Sequence, residues 1–587
     1  MTVDFSGRFV GADLIVFNAK ITTQDPARPE ASALAVKRGR IYSVGSDAEI
    51  LGLKDDDTQV IDADGKRLIP GINDAHIHVL NERNYNFTVR WEGVPTLERA
   101  LDMLRDQAER TPEGHWVRVI GGWSPYQFEE NRHPTVAELN EAVPNRPAIV
   151  QYAYNRAILN GLAMEALGVG TPNFPMLPDT VLETDDHGAY TGVVEAFTWT
   201  FVAMEGYAPQ PSFDEEISSL IYVVNDLNSF GVTSVLETGA VLGFPEGHTS
   251  INTLAVDNKL NVRFSFVDLG FDPATGDLGV DRHIHAVTEK SPISAGDNIH
   301  PTMVHGHEYE GMGEEFRGDL HDHENFDRPA VILDHDAMRQ STLDDVTKLV
   351  ERRIPFRRHL SYNENITPFL DALEEVNKTT PLDGLRWGLE HAETITPENI
   401  ERVKNLGGGI ALDAKMALHG DGFSATYSKE KAQQTPPLRA LVASGVPLAL
   451  TSDGYRASNY NPWIGIGWAV SGKSVSGSEV LGKDNRLSRE EALKLYTLGG
   501  SWFSHQEHEK GRIAPGNLAD FALLSADYFT VPEDEIQKIS SLLTVVDGRV
   551  VYGAVNYSDL SPELPDPLPE WSPIKHFGGY YNAARVN

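Results

Sequence analysis

A chain of 587 residues is too long for one ordinary hydrophobic core, so its length predicts one large domain with a smaller companion. Apolar residues at 41% and charged residues at 23% are globular values, and no apolar run is long enough to span a membrane. The absence of cysteine excludes disulfides, thiol nucleophiles and thiolate metal ligands, while a net charge of −35 argues against nucleic acid or an anionic membrane as partner. Acidity on this scale serves solubility. The first residues, Met1-Thr2-Val3-Asp4-Phe5, lack a basic segment followed by an apolar one, so a soluble, cytoplasmic protein is expected.

Residues 12–69 alternate apolar and polar positions between turns. Leu14-Ile15-Val16-Phe17, Ala33-Leu34-Ala35-Val36 and Ile41-Tyr42-Ser43-Val44 read as short strands, the last two joined at Lys37-Arg38-Gly39-Arg40. Asn517–Leu524 and Leu542–Tyr552 have the same character near the other end. Neither set completes a sheet alone, which predicts a small β-sandwich built from residues 1–69 and 511–556. A tail of residues 557–587, rich in proline and aromatics, is expected to strap a surface of this chain or of a neighbouring subunit.

Between the two ends, residues 70–510 carry a repeated strand-then-helix rhythm. After the strand of Ile72–His78 come seven more candidates: Gly231–Ala240, Asn261–Gly270, His300–Glu310, Ile354–Asn363, Leu385–Glu393, Gly408–Lys415 and Val446–Gly454. Eight strands suit an α/β fold of the (β/α)8 TIM-type barrel kind. Helix starts are signalled by Thr396-Pro397-Glu398 and by the capping box Ser488-Arg489-Glu490-Glu491. Residues from about 91 to 213 break the rhythm and read as a subdomain inserted after the first barrel strand. Its Gly121-Gly122-Trp123-Ser124-Pro125-Tyr126-Gln127-Phe128 segment offers aromatics for a pocket or for the insert's own core.

The chemistry concentrates at strand ends. In an extended strand His76 and His78 project to one face, with Ile77 turned into packing, and the preceding Pro70-Gly71 marks a sharp entry. His359 ends the fifth strand, His391 the sixth and Asp453 the eighth. Each alone also fits a structural role as a bonded histidine or a helix cap. Together, at the rim where barrel sites are built, they suit an open site for a divalent ion of borderline softness such as zinc. Asp453 can then serve as ligand and general base, and His391 as ligand or as donor to a developing oxyanion.

Pro70-Gly71-Ile72-Asn73-Asp74-Ala75-His76-Ile77-His78 and Gly511-Arg512-Ile513-Ala514-Pro515-Gly516-Asn517-Leu518-Ala519-Asp520 resemble the entry and return motifs of the amidohydrolase superfamily. The insert with Gly121-Gly122-Trp123, and Arg386-Trp387-Gly388-Leu389-Glu390-His391-Ala392, is similar to the amidohydrolase family 3 branch, which includes N-substituted formamide deformylases. The resemblance implies a metal-dependent hydrolase with His76, His78, His359, His391 and Asp453 at the metal. In two-metal members of the family a carboxylated lysine, sometimes a glutamate, on the fourth strand usually bridges the ions. Here that stretch is Met303-Val304-His305-Gly306-His307-Glu308-Tyr309-Glu310, so either one ion is held or His305, His307, Glu308 or Glu310 supplies the bridge. One ion is favoured. Asn155 stands where that branch commonly carries a histidine, which bears on substrate recognition.

Glu237 reads as an extra ligand or a structural ion pair, and Lys415 more readily as a surface lysine than as an anion contact. His419, Tyr455, Arg456 and Trp463 are expected in loops near the mouth, mostly as scaffolding. The expectation is cleavage of an amide-type carbon–nitrogen bond of a small molecule, in a protein that could form a homodimer. Alternatives on the same scaffold are hydrolysis of an ester, carbamate or cyclic imine, or a lyase reaction. A catalytically inactive barrel acting as a binding subunit is the alternative of another class.

Overall fold

In the computed structural model, the residues described are 11–154, 156–174, 176, 180–195, 198–239, 246–268, 280, 284, 308–311 and 335–581. His305, His307 and Asn155 lie outside them, and Glu308 and Glu310 are described by backbone alone.

The protein is α/β. Eight parallel strands stand side by side in chain order: β1 (Ile72–Ile77), β2 (Val232–Thr238), β3 (Arg263–Asp268), β4 (Glu308–Gly311), β5 (Phe356–Leu360), β6 (Trp387–His391), β7 (Gly409–Asp413) and β8 (Leu448–Thr451). Apart from β4, whose side chains are not described, every residue of these strands is buried, as parallel strands covered on both faces require. β5, β6, β7 and β8 are each shorter than the run read from sequence, whose outer residues lie outside the ladder. Beyond the ladder itself, Asp453 N donates to His76 O at 3.0 Å and His78 N to Gly454 O at 2.7 Å, joining the first strand to the residues just past the last.

Helices with satisfied starts alternate with these strands. Phe213–Ser229 begins with a capping box between Ser212 and Glu215, and Thr396 accepts from Asn399 N with Pro397 in the first turn of Pro397–Asn405. Their apolar faces and the strands share one core that includes Ile72, Ile77, Val235, Phe264, Phe356, Leu389, Ile410 and Leu450. Entry into β1 demands glycine at position 71, since a Cβ there would stand 1.9 Å from Thr233 Oγ1 on β2.

Between β1 and β2 the chain builds a separate five-stranded sheet from Val117–Ile120, Ala148–Tyr152, Arg156–Leu159, Val181–Thr184 and Tyr190–Glu195. Trp91, Trp123 and Phe128 pack in its core, and Trp123 Nε1 donates to Gln151 O at 2.8 Å. These aromatics are core residues of this sheet.

Residues near both ends of the chain share a six-stranded sheet in which Arg67–Pro70 pairs antiparallel with Phe521–Leu524, while a four-stranded sheet holds the hairpin of Ala33–Lys37 and Arg40–Gly45. Leu14, Leu34, Leu68, Phe521 and Leu543 form one core between the two. The stretch after Tyr557 lies across this same chain: Tyr222 OH donates to Pro565 O at 2.7 Å, Ser572 Oγ to Asn86 O at 2.7 Å, and Tyr581 N to Glu92 O at 3.0 Å. Among the described residues no helix is long and apolar enough to cross a membrane.

Candidate metal centre

At the ends of β1, β5 and β6 four imidazoles meet. The His76 ring centroid is 5.2 Å from that of His78, 4.9 Å from His359 and 5.0 Å from His391. Asp453, two residues beyond β8, sets Oδ1 at 3.1 Å from His78 Nε2 and 3.4 Å from His76 Nε2. All five residues singled out at strand ends therefore converge. The backbone bends to bring them there, with φ of 71° at His391, 57° at Ala392 and 52° at Asp453. Left-handed non-glycine residues are costly, and such strain gathers where a side chain must be aimed.

Donor atoms fall into two groups, each within 4.8 Å of one another: His76, His78 and His359; and His76, His391, Asp413 and Asp453. Buried atoms without a hydrogen-bond partner include His76 Nε2 and Asp453 Oδ1. Interiors rarely leave such atoms bare, and a cation between them would satisfy both. The donor set of imidazoles and carboxylates fits a divalent ion.

The surrounding groups fix how these ligands are presented. His76 Nδ1 donates to Glu390 Oε2 at 2.7 Å, which leaves the Nε2 lone pair facing the cluster. Glu390 Oε1 in turn accepts from Arg357 Nη1 at 2.9 Å. Glu237 accepts from Leu80 N at 2.7 Å and presents Oε1 at 3.7 Å from His78 Nδ1, so it braces a ligand and the turn beyond β1. Lys415 is fully buried, against the surface placement expected of it: it follows β7, whose register carries it inward, and Nζ lies 2.8 Å from Asp453 Oδ2 and 3.0 Å from His391 Nδ1.

Electrostatics follow from that crowding. Burial alone would raise the Asp453 carboxyl, but Lys415, His76 and His78 hold it well below the usual range. Burial and then the Lys415 ammonium push His391 well below its ordinary value, keeping the ring neutral. For His78, burial is outweighed by Asp453 and Glu237, and its pKa rises to about 9.

Sequence reasoning missed Asp413, whose Oδ2 contacts His391 Nδ1 and whose Oδ1 accepts from Thr451 Oγ1. It also gave no role to Glu390, or to Glu393, whose buried carboxylate oxygens have no hydrogen-bond partner. The signal for Asp413 was present: an acid closing the apolar run Gly409-Ile410-Ala411-Leu412, as Asp453 follows Leu448-Ala449-Leu450.

The remaining candidates tie the mouth together. His419 sits in the helix Met416–Thr426, outside the loop expected for it, because its ring links the five-stranded sheet to the segment after β8: Tyr152 OH lies 2.9 Å from Nδ1 and Nε2 donates to Ala457 O at 2.8 Å. Arg456 is buried against Glu205 at 2.6 Å and Glu82 at 3.3 Å. Tyr455 is buried and donates to Val223 O at 3.2 Å. Trp463 lies in the helix Pro462–Ser471, where Nε1 donates to Phe230 O at 3.0 Å, a core position in place of the expected loop. Gly121 packs on Arg456 so closely that a Cβ would stand 2.4 Å from Arg456 Cα, at a φ of 60°.

An eight-stranded parallel sheet whose strand ends carry four histidines and buried acids defines a metal-dependent hydrolase. Residues 59–552 match the model of the amidohydrolase family, and the chain belongs to that family; it is a hydrolase acting on carbon–nitrogen bonds. It is 25% identical over 558 residues to an N-substituted formamide deformylase from Arthrobacter pascens, covering 92% of this chain and 98% of that protein. Among solved structures it is similar to an uncharacterized metal-dependent hydrolase from Pyrococcus horikoshii, at TM-score 0.60 and 18% identity, covering 89% of this chain and 99% of that one. It is also similar to atrazine chlorohydrolase from Arthrobacter aurescens complexed with zinc, at TM-score 0.51 and 16% identity, covering 94% and 97%.

Proposed function

We propose that the eight strands close into a (β/α)8 barrel flanked by a β-sandwich from both ends, and that the barrel hydrolyses an amide-type bond of a small molecule with one zinc ion. In this reading residues 70–510 are the barrel domain, about 91–213 its insert, 1–69 and 511–556 the sandwich, and 557–587 the tail. His76, His78, His359 and Asp453 would hold the ion, and His391 would polarise the substrate or complete the ligand set.

The single observation that carries the reading is the meeting of His76, His78, His359 and Asp453 from two strand ends and the segment just past a third. When bound, the ion lowers the pKa of water near it and polarises the substrate carbonyl. The other steps fall to the protein. Asp453, kept ionised by Lys415 and the imidazoles, takes the proton of the attacking water and passes it to the leaving nitrogen. Neutral His391 donates to the oxygen on which charge develops. Glu390 keeps His76 in the tautomer that coordinates through Nε2.

The formamide deformylase relative supports an N-acyl or N-formyl compound as substrate. The net charge of −35 supports a small-molecule enzyme without nucleic acid or an anionic membrane as partner. A panel of formamides, longer N-acyl amides, cyclic amides and esters, tested on zinc-loaded protein, checks the reading. Turnover of amides above esters is expected; esters alone, or none of the panel, would defeat it.

A further inference from the structure

The second donor group, His76, His391, Asp413 and Asp453, is the place where a second ion would sit beside the first. A side chain already stands there. Lys415 Nζ lies 2.8 Å from Asp453 Oδ2 and 3.0 Å from His391 Nδ1, and the residue is wholly buried.

We infer that the Lys415 ammonium is a built-in cation that occupies the second metal position, so that this chain holds one ion where the geometry would otherwise accept two. The inference rests on the metal-hydrolase reading above and explains its stoichiometry.

Three physical points carry it. First, ligand bonds of a divalent ion to nitrogen and oxygen are about 2.0–2.2 Å. An ion drawing on His391 and Asp453 would have to share the volume that Nζ fills. Second, Lys415 Nζ and the Asp413 carboxylate both crowd His391 Nδ1, so that ring atom is already engaged by the protein. Third, the lysine arrives from the end of β7 with its side chain sealed from solvent, and an ammonium displaced from these anions has no water to retreat to. Its charge does part of what a second ion would do: it neutralises Asp453 and faces the buried acids Asp413 and Glu393 without adding a coordination site.

Counting ions tests this directly. Wild type, Lys415→Arg and Lys415→Met protein are each loaded with excess Mn²⁺, freed of loose ions by gel filtration, and measured for manganese per chain and for its electron paramagnetic resonance spectrum. Wild type and Lys415→Arg should retain one ion with an isolated-ion spectrum. Lys415→Met should retain two, with exchange coupling between them. Lys415→Gln, neutral and polar, takes the place of Lys415→Met if the latter fails to fold. Wild type that holds two coupled ions overturns the inference and leaves the hydrolase reading standing. So does a neutral variant that melts like wild type yet still holds one. Wild type that holds none sinks the metal-hydrolase reading itself, an outcome distinct from both.

Discussion

Glu390 and His76 sit on different strands and meet at 2.7 Å, with the carboxylate's other oxygen tied to Arg357. All three residues are buried, so this chain of contacts sets which imidazole nitrogen faces the ligand cluster without itself touching an ion or a substrate. Glu390→Gln keeps the shape and removes the charge. We expect metal affinity to fall by about 10- to 100-fold, with little change in melting of the metal-free protein. Competition against a chromophoric chelator reads this; unchanged affinity would remove the orienting role.

His76 and Asp453 separate binding from chemistry. His76→Ala should strip the ion and abolish turnover. Asp453→Asn should keep the ion and lower kcat by about 10²–10⁴-fold, the usual scale for losing a proton-transfer group. Metal content and steady-state rates on the same preparations check both, and an active Asp453→Asn enzyme would defeat the general-base role.

Lys510 supplies a pH dependence away from the metal. It is buried and donates to Ser234 Oγ at 2.7 Å; burial, then the nearby Arg263 charge, pull its pKa down to about 7. The unfolded chain holds that proton until about pH 10, the ordinary lysine value, while the folded chain sheds it near 7. Stability contributed by this group therefore rises with pH between about 7 and 10, and is lost as pH falls through 7. Lys510→Met should be more stable than wild type at pH 7, with the difference shrinking toward pH 10. Parallel melting curves at four or five pH values test this, and a gap that stays constant would contradict it.

Arg263 on β3 reaches Asp520 at 2.6 and 3.0 Å and Asp547 at 3.3 Å, fastening the eight-stranded sheet to the loops of the six-stranded one. Arg263→Met leaves buried Asp520 uncompensated, and a loss of about 3–5 kcal/mol is expected from breaking such a pair. The double variant Arg263→Met/Asp520→Asn should recover part of it. Thermal melting of the three proteins decides; equal melting of the single and double variants would show that the pair is not the cause.

How much of this was legible in the sequence depended on whether a residue acts through its own local pattern. The His-x-His pair, His359, His391 and Asp453 each stand at or just past the end of a strand read from sequence, and strand order aims them at one rim. Lys415 and Asp413 close another such run, but a lysine in a chain this acidic reads as solvated until its neighbours are known. Glu390 was hidden for a different reason. Inside a strand it looks like one turn of an alternation, and only the register of β6 beside β5 reveals that it faces His76 and Arg357. His419 and Trp463 were misplaced because the chain returns to helix sooner after β7 and β8 than the local polar residues suggest.

Arg67, just upstream of the first imidazole pair, is bonded to Asp527 across 460 positions, and Gly71 N donates to Asp520 O at 2.9 Å. Contacts so distant along the chain form late, after the cost of closing very large loops has been met. The alignment of the histidine pair thus depends on contacts that span most of the chain, and an ion has no pocket to enter before they form. A divalent ion present during refolding should therefore slow later unfolding while leaving the rate of assembly unchanged.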